Sequence, residues 1–196
     1  MRRRFRAGLG RRLRRGALAA ALALGAAVGW AGYLQAMGNF HEILPQELFR
    51  SAQLDPDALE RAIRAHGIRS VLNLRGASTG HGWYRDELAA TGRAGAVHAD
   101  FALSASRPVS GSEAEALLDL MRRLPKPILI HCRQGADRTG LVSALYLAGL
   151  SGGSEAEAEG QLSFRYGHLG IPYLSAAFAM DESWEALEPA LGFGKS

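Results

Sequence analysis

The sequence contains a single cysteine, Cys132, among its 196 residues. One cysteine excludes an intramolecular disulfide framework and any metal site built from paired Cys-x-x-Cys motifs. Histidines are scattered without the spacing of metal ligands, so we expect no metal and no other cofactor. Aromatic residues make up only 8% of the chain, but the hydrophobic share of 47% is ordinary for a globular protein. The composition therefore excludes a chain that is disordered throughout.

Acidic residues are absent from the first fifteen positions, which contain eight arginines. The whole chain has a formal charge of +4. Outside this tail, residues 16–196 have fifteen basic and nineteen acidic side chains, which gives them a formal charge of −4. The excess of basic residues thus belongs to the tail, and we expect the folded part not to bind nucleic acid.

Formal charge is also absent from residues 16–40, a stretch of 25 residues rich in Ala, Leu, Gly and Val. About twenty such residues in a helix cross the hydrocarbon core of a bilayer. Trp30 and Tyr33 stand near its far end, as in an interfacial aromatic belt. We therefore expect three parts, namely a basic cytoplasmic tail at 1–15, a transmembrane signal-anchor helix at 16–40 and one folded domain at 41–196.

The arginines before the apolar segment place the N-terminus in the cytoplasm and the domain on the other side of the membrane. In a Gram-negative bacterium this is a single-pass protein of the inner membrane with a periplasmic domain. Three alternatives remain, which are a cleaved signal peptide, a twin-arginine export signal at Arg2–Phe5 and a buried helix.

Strand-like and helix-like segments alternate through the rest of the chain, which predicts an α/β fold with a mostly parallel sheet and helices on both faces. A helix begins at Asp55-Pro56 and ends at Gly67, since Asp is a good N-cap and Pro suits the first helical position. The other predicted helices are 83–90, 112–124 with a Ser112/Glu115 capping box, 139–150 and 154–164, and the predicted strands are 48–50, 68–74, 96–101 and 128–131.

Residues 131–140 read HCRQGADRTG and directly follow the apolar strand 128–131. A strand, a tight loop and a helix start form an anion cradle from backbone N–H groups. The same positive field favours the thiolate form of Cys132. Arg138 returns to the same point and presents a planar fork that binds two phosphoryl oxygens. A structural buried cysteine is the alternative, because Cys-x5-Arg alone is a weak pattern.

This segment resembles the signature loop HCxxGxxRTG of the cysteine-dependent protein tyrosine and dual-specificity phosphatases. The similarity to a bacterial dual-specificity-like branch extends over Glu47–Leu169 and includes the run from Gly67 to Gly76 and SFRYGHL at Ser163–Leu169. The resemblance implies a phosphatase fold with a central sheet of four or five strands. We use the name signature loop for residues 131–140.

The resemblance also implies roles for individual residues. Cys132 attacks phosphorus to give a phosphocysteine intermediate, Thr139 helps the cysteine leave, and His131 tunes the thiolate. The residues implied to bind the substrate phosphate, through loop amides and the Arg138 guanidinium, are Arg133, Gln134, Gly135, Ala136, Asp137 and Arg138.

The general acid that protonates the leaving oxygen has two candidates. Asp100 is the only carboxylate near the loop that usually supplies this residue, but it falls slightly before the usual position, where Ser104 stands. Asp137 lies within the signature loop, and similar GxDRTG loops use that aspartate as the acid. We favour Asp137 and keep Asp100 as the second candidate.

The expected substrates are phosphotyrosine and phosphoserine or phosphothreonine monoesters, in a phosphorylated protein or a small phosphate ester. One alternative with the same loop is an inositol phosphate or phosphoinositide phosphatase. The other is an inactive phosphatase-like binding module. The roles of two further residues stay open. Arg75 either reaches the substrate or is solvated. His168 is more typical of a packing histidine than of a catalyst.

Overall fold

The computed structural model describes the backbone of residues 2–194 and the side chains of residues 14–194. Most arginines of the predicted basic tail therefore lie outside the described side chains. Contacts divide the chain into two units, Met1–Ala36 and Met37–Ser196. The first unit is helix α1, Arg2–Ala36, whose segment Arg14–Ala36 is long and apolar enough to cross a membrane, with a mean hydropathy of 1.7. A signal sequence passes the same test.

The second unit is built on a five-stranded sheet with the strand order β1-β2-β5-β3-β4. β1 is antiparallel to β2, and every other pair is parallel. This confirms the predicted α/β fold with a mostly parallel sheet. The strands are β1 His41–Leu44, β2 Leu48–Ser51, β3 Ser70–Asn73, β4 Val97–Asp100 and β5 Ile128–His131.

Helices cover both faces of this sheet. The side chains of Leu48, Leu72 and Ile130 point to one face, where they pack in a large apolar cluster with α4, α5 and α7. Those of Phe49, Val71 and Leu129 point to the other face and pack with α2 and α3. The helices are α2 Pro56–His66, α3 Gly82–Arg93, α4 Gly111–Arg123, α5 Asp137–Tyr146, α6 Glu155–Glu159 and α7 Phe178–Leu187.

Local sequence signals located α2 and β5 correctly. Asp55 caps α2 through a hydrogen bond from Ala58 N to its carboxylate, and Gly67 ends the helix with a positive φ of 62°. The prediction for α4 was wrong by two residues, because the capping box is formed by Ser110 and Glu113. Ser112 and Glu115 repeat the same spacing, so the sequence pattern alone did not distinguish the two.

Other elements also differ from the predictions. Helix α5 begins at Asp137 instead of residue 139, and a π-helical turn at Leu147–Ser151 continues it. Helix α6 has the predicted Ser154/Glu157 capping box but ends at Glu159, well before residue 164. Strand β1 was not predicted, because it is a short edge strand whose pairing depends on β2.

Candidate active site

Cys132 stands at the carboxyl edge of the sheet. His131, the last residue of β5, is in register with Ser51 of β2 and Asn73 of β3. Three parallel strands thus end together where the signature loop leaves the sheet. Cys132 is 3% exposed, and the loop runs directly into the N-terminus of α5. Because the first N–H groups of a helix lack intrahelical partners, this junction attracts anions.

Gly135 is required by the close packing of the signature loop against β2. Its φ is +70°, and a Cβ atom there would lie 2.5 Å from the backbone N of Ala52. Any other residue would collide with the backbone, since real Cβ atoms do not approach that closely. The backbone of the signature loop therefore lies directly against the end of β2 at this position.

Arg138 is fixed by the chain around it. Its Nη1 donates to the backbone oxygens of Leu74, at 3.3 Å, and Leu103, at 3.1 Å. The Nε atom is buried and has no partner among the described residues. The hydroxyl of Thr139 is likewise buried without a partner in the described part of the chain. Both groups are therefore available to a ligand held in the loop.

Arg50 supports the signature loop from the side opposite to α2 and α3. It is fully buried, and its Nη2 donates to the carbonyl oxygens of Gly135, at 2.8 Å, and Ala136, at 3.3 Å. Its Nη1 donates to both oxygens of Gln161, and its guanidinium lies 3.9 Å from the ring centre of Tyr166. Burial lowers the pKa of Arg50 to about 10, and it stays charged at neutral pH.

Asn39 supports the loop from the start of the domain. It is 1% exposed, and its Nδ2 donates to the backbone oxygens of Gln134, at 3.0 Å, and Tyr166, at 2.8 Å. Together, Asn39 and Arg50 bind three consecutive carbonyl groups of the loop. When these carbonyls are held outward, the N–H groups of the same peptides point toward the cradle.

Asp100 is held on the α3 side of the sheet. Its Oδ1 accepts a hydrogen bond from Asn73 Nδ2 at 2.7 Å, and its Oδ2 accepts one from the hydroxyl of Tyr84. The bond to Asp100 and burial raise the pKa of Tyr84 to about 12. Both carboxylate oxygens of Asp100 thus accept hydrogen bonds from an amide and a phenol, and Nδ1 of His98 lies further away, 3.8 Å from Oδ2.

A buried glutamate connects this region to the signature loop. Oε1 of Glu87 lies 2.9 Å from His98 Nε2 and 3.2 Å from His131 Nε2. Burial raises the pKa of Glu87, but the contacts with the two histidines outweigh burial and lower the pKa to about 2. Glu87 is therefore a buried negative charge behind the residue that precedes Cys132.

Asp137 is part of a second hydrogen-bonded chain, on the α5 side of the sheet. Its Oδ1 lies 2.8 Å from Nδ1 of His168, and Nε2 of His168 lies 3.0 Å from Oδ2 of Asp181. Burial lowers the pKa of His168, but the bonds to the two aspartates outweigh burial and the net shift is upward. His168 therefore binds a proton more readily than an ordinary histidine does.

A cleft of about 760 Å³ opens beside the signature loop, next to α2 and α3. Trp83 lines it, whereas Tyr84 is buried against Asp100. Arg75 and Arg133 also face this cleft. The described residues contain no group of three or more His, Cys, Asp or Glu side chains placed to hold a metal ion.

Sequence reasoning assigned no role to Arg50, Asn39 or Glu87, and it favoured simple packing for His168. The one signal in the sequence was Arg50, a charged residue inside the short apolar strand β2. Because arginine is rarely fully buried without partners, its position indicates buried contacts. The partners of these residues come from segments distant in sequence, up to 127 positions away for Asn39 and Tyr166. Spacing within a motif carries no information about such contacts.

Comparisons with known structures agree with this fold. The fold matches TpbA from P. aeruginosa, whose structure was determined with phosphotyrosine, at a TM-score of 0.57 and 19% identity over 81% of this chain and 93% of that chain. It also matches Tk-PTP, at a TM-score of 0.56 and 18% identity over 75% and 97% of the two chains. For human DUSP28 the TM-score is 0.52 and the identity 18%, over 77% and 97%.

No curated protein matches the sequence significantly. The sequence model of the tyrosine phosphatase family, however, matches residues 31–156. This region contains the signature loop together with β1 to β5, and it covers more than half of the chain. The chain therefore belongs to the tyrosine phosphatase family.

Proposed function

We propose that the protein is a membrane-anchored phosphatase that hydrolyses phosphotyrosine and phosphoserine or phosphothreonine monoesters through a phosphocysteine intermediate. One observation carries the proposal, which is the way the structure holds Arg138 in the first turn of α5, six residues after Cys132. Two backbone carbonyls fix one nitrogen of its guanidinium and leave Nε, buried and without a described partner, for a phosphate oxygen. Preorganised donors of this kind stabilise the charge that develops in phosphoryl transfer.

In the first step, the Cys132 thiolate attacks phosphorus. A P–S bond forms and the P–O bond to the leaving group breaks, while the loop amides and Arg138 hold the other phosphate oxygens. The helix N-terminus favours the thiolate, because it places positive potential at the sulfur. The leaving oxygen takes a proton from a general acid.

Asp137 is the proposed acid, and its contact with His168 supports this role. Once Asp137 has given its proton to the leaving oxygen, the 2.8 Å hydrogen bond with Nδ1 of His168 stabilises the resulting carboxylate until the second step returns a proton to it. Asp100 is the weaker candidate, because it would have to break a bond to Asn73 or Tyr84 before presenting a proton to a leaving group.

In the second step, water attacks phosphorus, the P–S bond breaks and inorganic phosphate is released. The attacking water loses its proton to Asp137, which completes the proton balance. The buried hydroxyl of Thr139 is proposed to donate a hydrogen bond to the departing thiolate. His131 is proposed to tune that thiolate, with Glu87 fixing the orientation of its ring from behind.

Anchoring is the second element of the proposal. The apolar segment Arg14–Ala36 and the arginines before it favour an uncleaved inner-membrane helix with the catalytic domain on the periplasmic side. Mass spectrometry of the protein purified from alkali-washed membranes tests this. We expect an intact N-terminus. A chain that starts beyond residue 36, recovered in the soluble fraction, would identify a cleaved signal peptide.

Replacement of the nucleophile tests the catalytic proposal. For Cys132→Ser in the full chain in detergent, we expect hydrolysis of p-nitrophenyl phosphate to fall by about 10⁴-fold or more, as for other removed nucleophiles. Acid-quenched wild-type protein should gain the mass of one phosphoryl group on Cys132. Ser143→Ala, a buried residue of α5, is the control for folding. Full activity of Cys132→Ser would contradict the mechanism.

A further inference from the structure

The cleft beside the signature loop is larger than the cradle needs for one phosphate. Its volume is about 760 Å³, and it is bounded by the loop, the start of α2 and the segment between β3 and α3. An arginine from each of two walls, Arg75 and Arg133, faces it. The mechanism assigns no task to the side chain of either residue.

Arg75 is fixed in this cleft instead of being solvated. Its guanidinium carbon lies 3.6 Å from the ring centre of Trp83, and its Nη1 donates to Oε1 of Gln53. The backbone N of Arg75 donates to Asn73 Oδ1 at 2.9 Å. Gln53 in turn donates its backbone N–H to the oxygen of Arg133 at 3.3 Å. The two arginines are thus tied to the same stretch of chain next to the cradle.

Two of the three carboxylates that line this cleft are engaged with groups other than the two arginines. Burial and the positive charges of Arg138 and Arg133 lower the pKa of Arg75, although Glu87 and Cys132 oppose this shift. Glu87 is already paired with two histidines, and Asp55 accepts a hydrogen bond as the N-cap of α2. Only the exposed Asp86 remains as an uncommitted carboxylate on the cleft wall.

A phosphate dianion bound by Arg138 and the loop amides does not use the side chains of Arg75 and Arg133. We propose that Arg75 and Arg133 form a subsite that binds a second anionic group of the substrate, with the ring of Trp83 packed against Arg75. This second group is a phosphate or a carboxylate on the same molecule whose scissile phosphate lies in the signature loop. This inference rests on the proposed phosphatase activity. Under this proposal, the cleft favours substrates that have two neighbouring anionic groups.

The test compares pairs of substrates that differ only in the second anionic group. One pair is a phosphotyrosine peptide flanked by glutamate or by glutamine, and the other is an inositol bisphosphate or monophosphate. We expect wild-type kcat/KM to favour the doubly anionic member of at least one pair by about tenfold, mainly through KM, because a charged hydrogen bond is gained. A preference in only one pair identifies whether the second anion comes from a peptide or an inositol phosphate.

In Arg75→Gln, we expect the ratio of kcat/KM between the doubly and singly anionic substrates to fall to near one. Arg75→Lys should keep part of the preference. Arg69→Gln is the matched control, because Arg69 is exposed just before β3, at the opposite end of that strand from the cleft. Thermal unfolding of each variant separates loss of selectivity from loss of folding. The inference is overturned if the wild type shows no preference in either pair, or if Arg75→Gln retains it.

These results also separate the inference from the proposed function. Hydrolysis of p-nitrophenyl phosphate without any preference for a second anion removes the subsite and leaves the phosphatase mechanism in place. Absence of hydrolysis for every phosphate ester removes both.

Discussion

Two aspartates lie on opposite sides of the sheet near the signature loop, and their surroundings differ in kind. Asp100, toward α3, accepts hydrogen bonds on both oxygens from Asn73 and Tyr84. Asp137, toward α7, is bonded to His168, whose pKa is raised because burial is outweighed by its bonds to Asp137 and Asp181. The first carboxylate accepts hydrogen bonds from an amide and a phenol, whereas the second is hydrogen-bonded to an imidazole. Position in the chain alone does not distinguish these two roles.

The largest expected effect is on the chemical step, and it separates the two aspartates directly. For Asp137→Asn, we expect kcat to fall by about 10²–10⁴-fold with phenyl phosphate, a poor leaving group, since general acids contribute this much. The loss with p-nitrophenyl phosphate should be much smaller, because nitrophenolate leaves without a proton. Steady-state kinetics with both esters provide the measurement.

Asp100→Asn is the matched comparison. We expect it to lose less than about tenfold with either ester, by disturbing the contacts of Asn73 and Tyr84 and not the proton transfer. A leaving-group dependence in Asp100→Asn, with none in Asp137→Asn, would reverse the assignment.

The next effect concerns the support of the loop on the Asp137 side. In Arg50→Met, the carbonyls of Gly135 and Ala136 lose a charged donor inside the core, so we expect the free energy of unfolding to fall by about 3 kcal/mol. Urea denaturation provides the measurement. Arg165→Met is the control, since Arg165 also lies near the ring of Tyr166, at 5.3 Å, but is exposed. Equal losses in the two variants would show that Arg50 does not support the loop.

The smallest expected effect is on the free energy of unfolding. Its pH dependence has opposite signs for the contributions of His168 and Glu87, which lie on the two sides of the sheet. The pKa of His168 in the folded protein is raised above 6.5, so its contribution to stability is complete below that pH and is lost as the pH rises through the folded value. The pKa of Glu87 is lowered from 4.5 to about 2, so its contribution is complete above pH 4.5 and is lost as the pH falls toward 2.

Unfolding free energies of His168→Gln and Glu87→Gln, measured against wild type across this range, test the contrast. We expect each cost to be about 1–3 kcal/mol where the contribution is complete. The cost of His168→Gln should shrink toward alkaline pH, and that of Glu87→Gln toward acidic pH. Glu115→Gln, at an exposed position of α4, serves as the control. Costs that do not vary with pH would show that neither ionisation stabilises the fold.

Predictions from the sequence succeeded where a signal is local. The caps of α2 and the buried strand β5 depend on residues within a few positions, so they were located correctly. The α4 cap failed because Ser110 and Ser112 offer the same local signal. Strand β1 was not predicted, because an edge strand is stabilised by pairing with its neighbour and not by its own sequence pattern.

The chemistry expected of the signature loop can be predicted from its residues alone. A single cysteine, Gly135 and Arg138 at fixed spacing, between an apolar strand and a helix start, predict an anion cradle with a nucleophile, because backbone geometry at such a junction is local. The residues that surround the loop could be identified only from the folded domain. The buried Arg50, the Glu87 contact with His131, the His168 bridge and the Arg75–Trp83 platform unite segments far apart in the chain. Their energies depend on burial, and burial exists only after the whole domain has folded.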